Sequence, residues 1–262
     1  MRVAMATAPA ARGGVNEDFF VAAPGFAVLL DGAGTPGIEA ICRHGVAWYT
    51  TRLGGELVAR LAFDGGALAE VLRDAIEAVA DLHRDTCDLA DPSSPSATVA
   101  ILRSADDRAD YLVLGDSVLL LGAAPIVVED RREVVFRRPY QEVYDAAADG
   151  SAERERARRV YVEALRANRN QDGGFWLAKD DPRAAAQAVT GTVAAAEAAL
   201  LSNGASRYVD RFHAADWAQA LVTLRTTGPE EIIRRVRAAE QAAGIAPDDA
   251  TVAYCTDLAG GS

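Results

Sequence analysis

Four aspartates in this chain sit where an apolar, strand-like run meets a turn. Asp31 follows Phe26 to Leu30 and precedes Gly32, and Asp116 follows Tyr111 to Leu114 and a glycine. Asp248 comes just before Thr251 to Cys255, and Asp18 closes Asn16-Glu17-Asp18 ahead of Phe19-Phe20-Val21. Carboxylates at strand ends, beside glycines that allow close backbone approach, are what a hard-cation site needs. Mg²⁺ and Mn²⁺ prefer oxygen ligands in octahedral geometry and keep several waters. Two such ions roughly 4 Å apart can activate a bridging water and stabilise a phosphoryl group under in-line attack. Taken singly, each acid has a plainer explanation: Asp-Gly is a common turn, and Asn-Glu-Asp could cap a helix. The order and spacing of the whole set carry the argument.

The other side chains able to do chemistry are thinly spread. Cys42, Cys87 and Cys255 are an odd number with no CxxC pair, which argues against both a disulfide framework and a zinc site. Each reads as a small buried residue. His44, His83 and His213 are equally dispersed, so neither a Ser-His-Asp arrangement nor an HExxH helix can be assembled locally.

The elements that must position the acids are short strands and longer helices. Phe26 to Leu30, Ala97 to Leu102, Tyr111 to Leu114, Val118 to Leu121, Ala198 to Leu201 and Thr251 to Cys255 are apolar runs bounded by Gly, Asp and Ser, as buried strands require. Ile126 to Val128 and Val134 to Phe136, separated by Glu129-Asp130-Arg131-Arg132, read as a hairpin. Ala67 to Leu89 places Leu68, Val71, Leu72, Ile76, Val79 and Leu82 on one helical stripe. Pro229 and Gly244 bracket another helix, Ser151 to Asn168 is a charged third, and Asp216 to Leu224 a fourth. Strands punctuated by long helices without strict alternation predict an α+β layered architecture. The stretch 123–193 is the least regular; its readings are a functional lid or a solvated helical insertion.

Composition narrows the function further. Half of the 262 residues are hydrophobic, yet none of the apolar stretches approaches the ~18 to 20 residues of a membrane span. The run Val3 to Ala8 is too short for a convincing signal-peptide core, so a cytoplasmic location is the default. A formal charge of −11 weighs against nucleic acid and anionic membrane as partners. An acidic protein can still bind phosphate where a metal or a local arginine reverses the sign.

With these residues in view, the chain resembles the metal-dependent protein phosphatases (PPM, or type 2C), with bacterial members the nearer match. Asn16-Glu17-Asp18-Phe19-Phe20 resembles the first acidic motif of the family, and Asp31-Gly32-Ala33-Gly34 its DGxGG motif. Pro95-Ser96-Ala97-Thr98 resembles the GSTA strand, Gly115-Asp116-Ser117 the GDS motif, Ser202-Asn203-Gly204 the SDG motif, and Asp248-Asp249-Ala250-Thr251-Val252 the DNxTV motif. The six occur in the family's order. The resemblance implies a two-sheet antiparallel β-sandwich flanked by helices, one domain over 1–262, with a divergent helical insertion or flap at about 123–193. It implies hydrolysis of a phosphomonoester, with phosphoserine or phosphothreonine in a protein as the substrate class, by a metal-activated water. Two Mg²⁺ or Mn²⁺ ions would be bridged by Asp31 and held by Asp18, Asp248 and the Gly32 carbonyl. Glu17 would act through bound water, and Asp116 would hold a third ion.

Three departures bear on that reading. Asn203 stands where the family has a metal-ligating aspartate; an amide offers one carbonyl oxygen, but the site loses a negative charge, and weaker metal occupancy is expected. Arg12 precedes Asn16 by four residues rather than three, and Gly13-Gly14 could absorb the difference; it is a candidate phosphate clamp, with a surface arginine as the alternative. Ala33 occupies a position where some members carry a histidine. Besides the protein phosphatase, two readings stay open: a pseudophosphatase that binds a phosphorylated partner without turnover, and a phosphatase for a small phosphomonoester.

Overall fold

The computed structural model describes the chain apart from Thr35, Pro36, Asp64, Asp106, Asp107 and 259–262. In chain order its regular elements are β1 (Arg2–Ala8), β2 (Phe19–Ala23), β3 (Phe26–Ala33), α1 (Gly45–Leu61), α2 (Leu68–His83), β4 (Ser96–Ala105), β5 (Arg108–Leu114), β6 (Val118–Leu121), β7 (Ile126–Glu129), α3 (Arg132–Ala146) and α4 (Ala152–Asn168). Then follow β8 (Val189–Val193), β9 (Glu197–Leu201), α5 (Asn203–Asp210), α6 (Trp217–Thr227), α7 (Pro229–Ala243) and β10 (Ala250–Thr256). Short 3₁₀ turns cover Ile38–Ala40 and Pro182–Gln187.

The strands form two five-stranded antiparallel sheets, ordered β1-β10-β9-β6-β7 and β2-β3-β4-β5-β8. Alternation along β3 shows how they stack. Ala27 and Leu29 join Ala100, Leu102, Leu119, Leu200 and Ala253 in the layer between the sheets. Val28 and Leu30 face the other way, into a cluster with Tyr49, Leu53, Leu57, Leu72 and Ile76 of α1 and α2. A third cluster packs Leu120, Ala199, Leu201 and Val252 against Tyr208, Leu221, Ile232 and Val236 of α5, α6 and α7. A strand buried on both faces reads as an unbroken apolar run, and this is why Phe26 to Leu30 lacks a polar alternation. The expected α+β sandwich with flanking helices is the observed architecture. Among the described residues, no helix is long and apolar enough to cross a membrane.

Two expectations are corrected. Val134 to Phe136 is not a strand: it lies in α3, which pairs with α4 as a helical hairpin. Three apolar residues are too few to distinguish the two periodicities, and tertiary partners decide. Phe136 packs on Tyr140 one turn on, centroids 5.6 Å apart, and on Phe175 at 5.8 Å. The buried Asp130 accepts from the Arg132 backbone N–H at 3.1 Å and pairs with its guanidinium at 2.6 Å, anchoring the start of α3. Nor is 123–193 only a helical insertion, since it supplies β7 to one sheet and β8 to the other.

Candidate metal centre

The four aspartates meet at one end of the sandwich: Asp31 near the end of β3, and the others on the connections before β2, after β5 and before β10. β3 pairs with β4 in the register Asp31↔Thr98 and Gly32↔Ala97. A Cβ on Gly32 would come within 2.6 Å of the Glu17 carbonyl oxygen and of Val46, so only glycine lets the Asn16-Glu17-Asp18 segment lie against β3. Asp116 sits in the turn that carries the chain from one sheet to the other. Gly115 takes φ +77° there, and a Cβ would meet Leu177 and Thr98 at 2.8 Å, so the turn requires glycine twice over. Thr98 and Ser117 hydroxyls, 2.5 Å apart, hold the following residue.

Asn203 and Asp248 arrive from the other sheet. Ser202 ties the end of β9 to the start of β10: its N–H donates to the Thr251 carbonyl at 3.0 Å, and its Oγ accepts from the Thr251 N–H at 2.9 Å. A Cβ on Gly204 would come within 1.9 Å of the Asp249 carbonyl oxygen, which fixes glycine where α5 passes under the Asp248-Asp249 loop. Asp249, whose role the sequence left unassigned, is a clamp. Its two carboxylate oxygens accept from the Ala10 and Glu17 N–H groups, each at 2.6 Å, and so pin both ends of the loop that carries Arg12. Arg12 itself is exposed.

Electrostatically the site is crowded with acid. Both Asp18 carboxylate oxygens are buried and, among the described residues, have no hydrogen-bond partner. Burial pushes this carboxyl up to about 7; Thr251 and Ser202 hydroxyls pull the other way from outside bonding geometry, and Asp249 and Asp248 add to the rise. Burial also drives Asp31 well above the usual carboxylate range, reinforced by Asp18, Asp116 and Asp248. The Asn203 N–H, in the first turn of α5, donates to Asp31 at 2.6 Å and partly offsets this. Asp116 is raised by burial as well, against the lowering effect of Arg137, and Glu17 by burial and then by Asp249 and Asp248.

Asn203 joins the set through its side chain, which donates from Nδ2 to Asp116 Oδ2 at 2.8 Å. Two arginines that the sequence did not single out complete the centre. Arg137 of α3 lies 3.3 Å from Asp116, and Arg207 of α5 pairs with Asp248 while its other nitrogen reaches the buried Glu240 at 3.1 Å. Arg207 was open to prediction, being one helical turn beyond Asn203 on the same face. Arg137 was not, because its segment read as a strand. α3, α4 and α5 border a cleft of about 610 Å³ that opens onto Asp116 and Asn203 and is lined by six arginines, Arg137 and Arg207 among them, and by six acids, Asp130, Asp145 and Asp210 among them.

The residues present fit hard cations. Unpartnered, buried carboxylate oxygens on Asp18 and a raised Asp31 beside them form an anionic site with too little positive charge around it. Among the described residues no three of these carboxylates close within 4.8 Å, so the set is too open for a single-ion cage.

The dispersed cysteines and histidines are a further correction. Cys42, His44, His83 and Cys87 come together with their donor atoms all within 4.8 Å, because the turn before α1 packs against the end of α2. Sequence separation hid this: 38 residues, two helices and the loop joining them, lie between His44 and His83. Cys255 is buried in the layer between the sheets, as expected.

No family model matches the chain, and no curated protein matches it. Solved structures do. The chain is similar to PppA, described as a key regulatory component of T6SS in Pseudomonas aeruginosa, with 20% identity, a TM-score of 0.60, and coverage of 97% of this chain and 96% of that one. It is similar to a bacterial serine phosphatase at 13% identity and TM-score 0.63, over 100% of both chains. It also matches the catalytic domain of the serine/threonine protein phosphatase PstP, solved in complex with two manganese ions, at 17% identity and TM-score 0.57, over 97% and 96% of the two chains. Along nearly its whole length, this chain has the fold of the PPM serine/threonine phosphatases.

Proposed function

We propose that this chain is a metal-dependent phosphomonoester hydrolase, acting in the cytoplasm on phosphoserine or phosphothreonine in proteins. The observation that carries the reading is the Asp18 carboxylate: both oxygens are buried without a partner among the described residues, beside Asp31, in a PPM fold. A pair of Mg²⁺ or Mn²⁺ ions would be held by Asp18, Asp31, Asp248 and the Gly32 carbonyl, with Glu17 acting through water. Asp116 and the Asn203 amide would hold a third ion. When bound, such ions polarise the phosphoryl group and lower the pKa of water at the site.

The chain's own residues account for the rest. Asp249 holds the Ala10–Glu17 loop in place, and Arg12 on that loop orients the phosphate dianion. The α3–α4 hairpin acts as the flap of a single domain, over a cleft whose arginines are matched by as many acids. Asp31 stays fixed by the Asn203 N–H, so one oxygen is oriented before substrate arrives.

A second reading, a pseudophosphatase that binds a phosphorylated partner, is favoured by a specific observation. Asn203 and Arg137 both bond Asp116, and Arg207 bonds Asp248, which puts protein hydrogens where cations would otherwise bind. Hydrolysis of p-nitrophenyl phosphate in excess Mn²⁺ separates the two. Turnover by the unaltered chain, lost in Asp31→Asn, supports the enzyme. Turnover only in Asn203→Asp supports the pseudophosphatase, and silence in both sinks the phosphatase reading.

A further inference from the structure

We propose that Cys42, His44, His83 and Cys87 form a tetrahedral zinc site that fastens the entry to α1 onto the end of α2. The proposal is independent of the phosphatase reading. Cys87 Sγ lies 3.2 Å from Cys42 Sγ and 3.3 Å from His44 Nδ1, while Cys42 Sγ lies 3.7 Å from Nδ1 of both His44 and His83. A zinc ion with bonds of ~2.3 Å to sulfur and ~2.0 to 2.1 Å to nitrogen needs donors separated by roughly 3.3 to 3.8 Å. The three sulfur–nitrogen separations, 3.3 to 3.7 Å, are of that size, and the two sulfurs, at 3.2 Å, would move apart by about 0.5 Å to share the ion. The sulfurs are already too far apart for a disulfide, which requires ~2.05 Å, and all three cysteines of the chain are free.

Local structure aims the four donors at one point. The 3₁₀ turn Ile38–Ala40 leads into Cys42, whose N–H donates to the Ile38 carbonyl at 2.8 Å. Gly45 at φ +77° then turns the chain from His44 into α1. On the other side, the Cys87 N–H donates to the His83 carbonyl at 3.0 Å, so one further turn brings Cys87 back beside His83. The Asp88 N–H donates to the Ile41 carbonyl at 3.1 Å and locks the two segments together. Cys42 and His83 are buried, and the Trp48 ring walls the cluster, stacked on His44 at 4.3 Å and tilted against His83 at 5.0 Å.

The donor chemistry selects the ion. Two thiolates and two imidazoles suit zinc, whereas Mg²⁺ and Mn²⁺ prefer the oxygens of the aspartate centre. Thiols are weak hydrogen-bond partners, so these groups satisfy one another poorly without a cation. Arg43 Nε lies 3.5 Å from His44 Nε2; with zinc on Nδ1 that nitrogen carries the proton, and the exposed Arg43 turns to solvent. Binding releases one proton from each thiol.

The test uses the full chain without an affinity tag, purified under reducing conditions, with metal measured by mass spectrometry. About one zinc per chain is expected, falling at least ~10-fold in Cys42→Ser and Cys87→Ser and unchanged in Asp31→Asn. The stripped, unaltered chain titrated with Co²⁺ should show the visible bands of a tetrahedral cobalt thiolate; this readout stands even if the cysteine variants fail to fold. Neither zinc nor those bands in the reduced chain would overturn the proposal. So would full zinc retention in the doubly substituted chain, or a Cys42–Cys87 disulfide whose reduction yields no metal binding.

Discussion

The aspartate centre has two sides that treat the same chemical group differently. On the β2–β3 side, Asp18 has no hydrogen-bond partner among the described residues, and Asp31 accepts from one backbone N–H. On the β6–β9–β10 side, Asp116 accepts from Asn203 and pairs with Arg137, and Asp248 pairs with Arg207. Buried charge must be compensated. The first side leaves that compensation to something outside the chain; the second supplies it from α3 and α5. A cation at the proposed centre would compete on the first side mainly with protons, and on the second with protein groups. Asn203 sits on the boundary, with its N–H toward Asp31 and its amide toward Asp116.

The sharpest way to break this comparison is to neutralise one acid on each side. Asp31→Asn should lower Mn²⁺-dependent hydrolysis by roughly 100-fold or more, because every proposed cation contacts or neighbours that carboxylate. Asp116→Asn should cost about 10-fold or less, since Arg137 and Asn203 already share its Oδ2. Steady-state rates on p-nitrophenyl phosphate decide it, and equal losses would mean the two sides do not differ.

Protons offer a second test, in the metal-free chain. The Asp18 carboxyl rises from 3.8 to about 7 on folding, so the folded state holds a proton that the unfolded state releases. Its contribution to stability is complete below about pH 4 and is lost as pH rises through about 7. Asp31 and Asp116 shift in the same direction. In chelator, Tm should fall by several degrees from pH 5 to pH 8, and Asp18→Asn should flatten that slope. Excess Mn²⁺ should restore Tm at pH 8 and do little at pH 5, because protons and metal compete for the same oxygens. A flat profile without metal would show that Asp18 is compensated after all.

How much of this was legible in the sequence follows from what each residue depends on. Asp18, Asp31, Asp116 and Asp248 were readable because strand ends and glycine turns are local features, and their order along the chain matched a known set. The acidic character of the site was readable for the same reason. Its compensation was not. Arg137 reaches Asp116 only because Val134 to Phe136 is helical, which packing against Phe175 and α4 decides. α1 also escaped notice: Gly54-Gly55 interrupts it, yet a Cβ on Gly54 would lie 2.1 Å from the Phe19 ring, so the glycine that weakens the helix locally is what lets it pack. The Cys42–His44 and His83–Cys87 pairs were invisible because their meeting depends on the α1–α2 hairpin.

Restoring the missing carboxylate addresses the boundary between the two sides. Asn203→Asp removes the amide donor to Asp116 and adds a negative charge facing it, so the pair then needs a cation. Mn²⁺ affinity by isothermal titration should rise about 10-fold, and the metal-free chain should lose stability from the added repulsion. Tighter binding without loss of metal-free stability would place residue 203 outside the reach of Asp116.

The smallest expected effect comes from loosening the compensated side. Arg207 bridges Asp248 and Glu240, and Glu240 keeps a second partner in Arg237 at 2.8 Å. Arg207→Ala should therefore free Asp248 for metal without leaving Glu240 as an unpaired buried charge. The Coulomb energy that Arg207 contributes is modest for an aspartate about half exposed, whose side chain retains 49% of its accessible surface. Mn²⁺ affinity should rise only ~2- to 5-fold, with little change in Tm. Arg237→Ala is the contrasting variant, since Arg237 also donates to the Asp248, Ala8 and Pro9 carbonyls at 2.7 to 3.3 Å and touches no carboxylate of the centre. It should lower Tm and leave metal affinity unchanged. If both variants change affinity alike, the arginine on Asp248 acts through the loop's position and not through its charge, and the two sides of the centre differ in geometry alone.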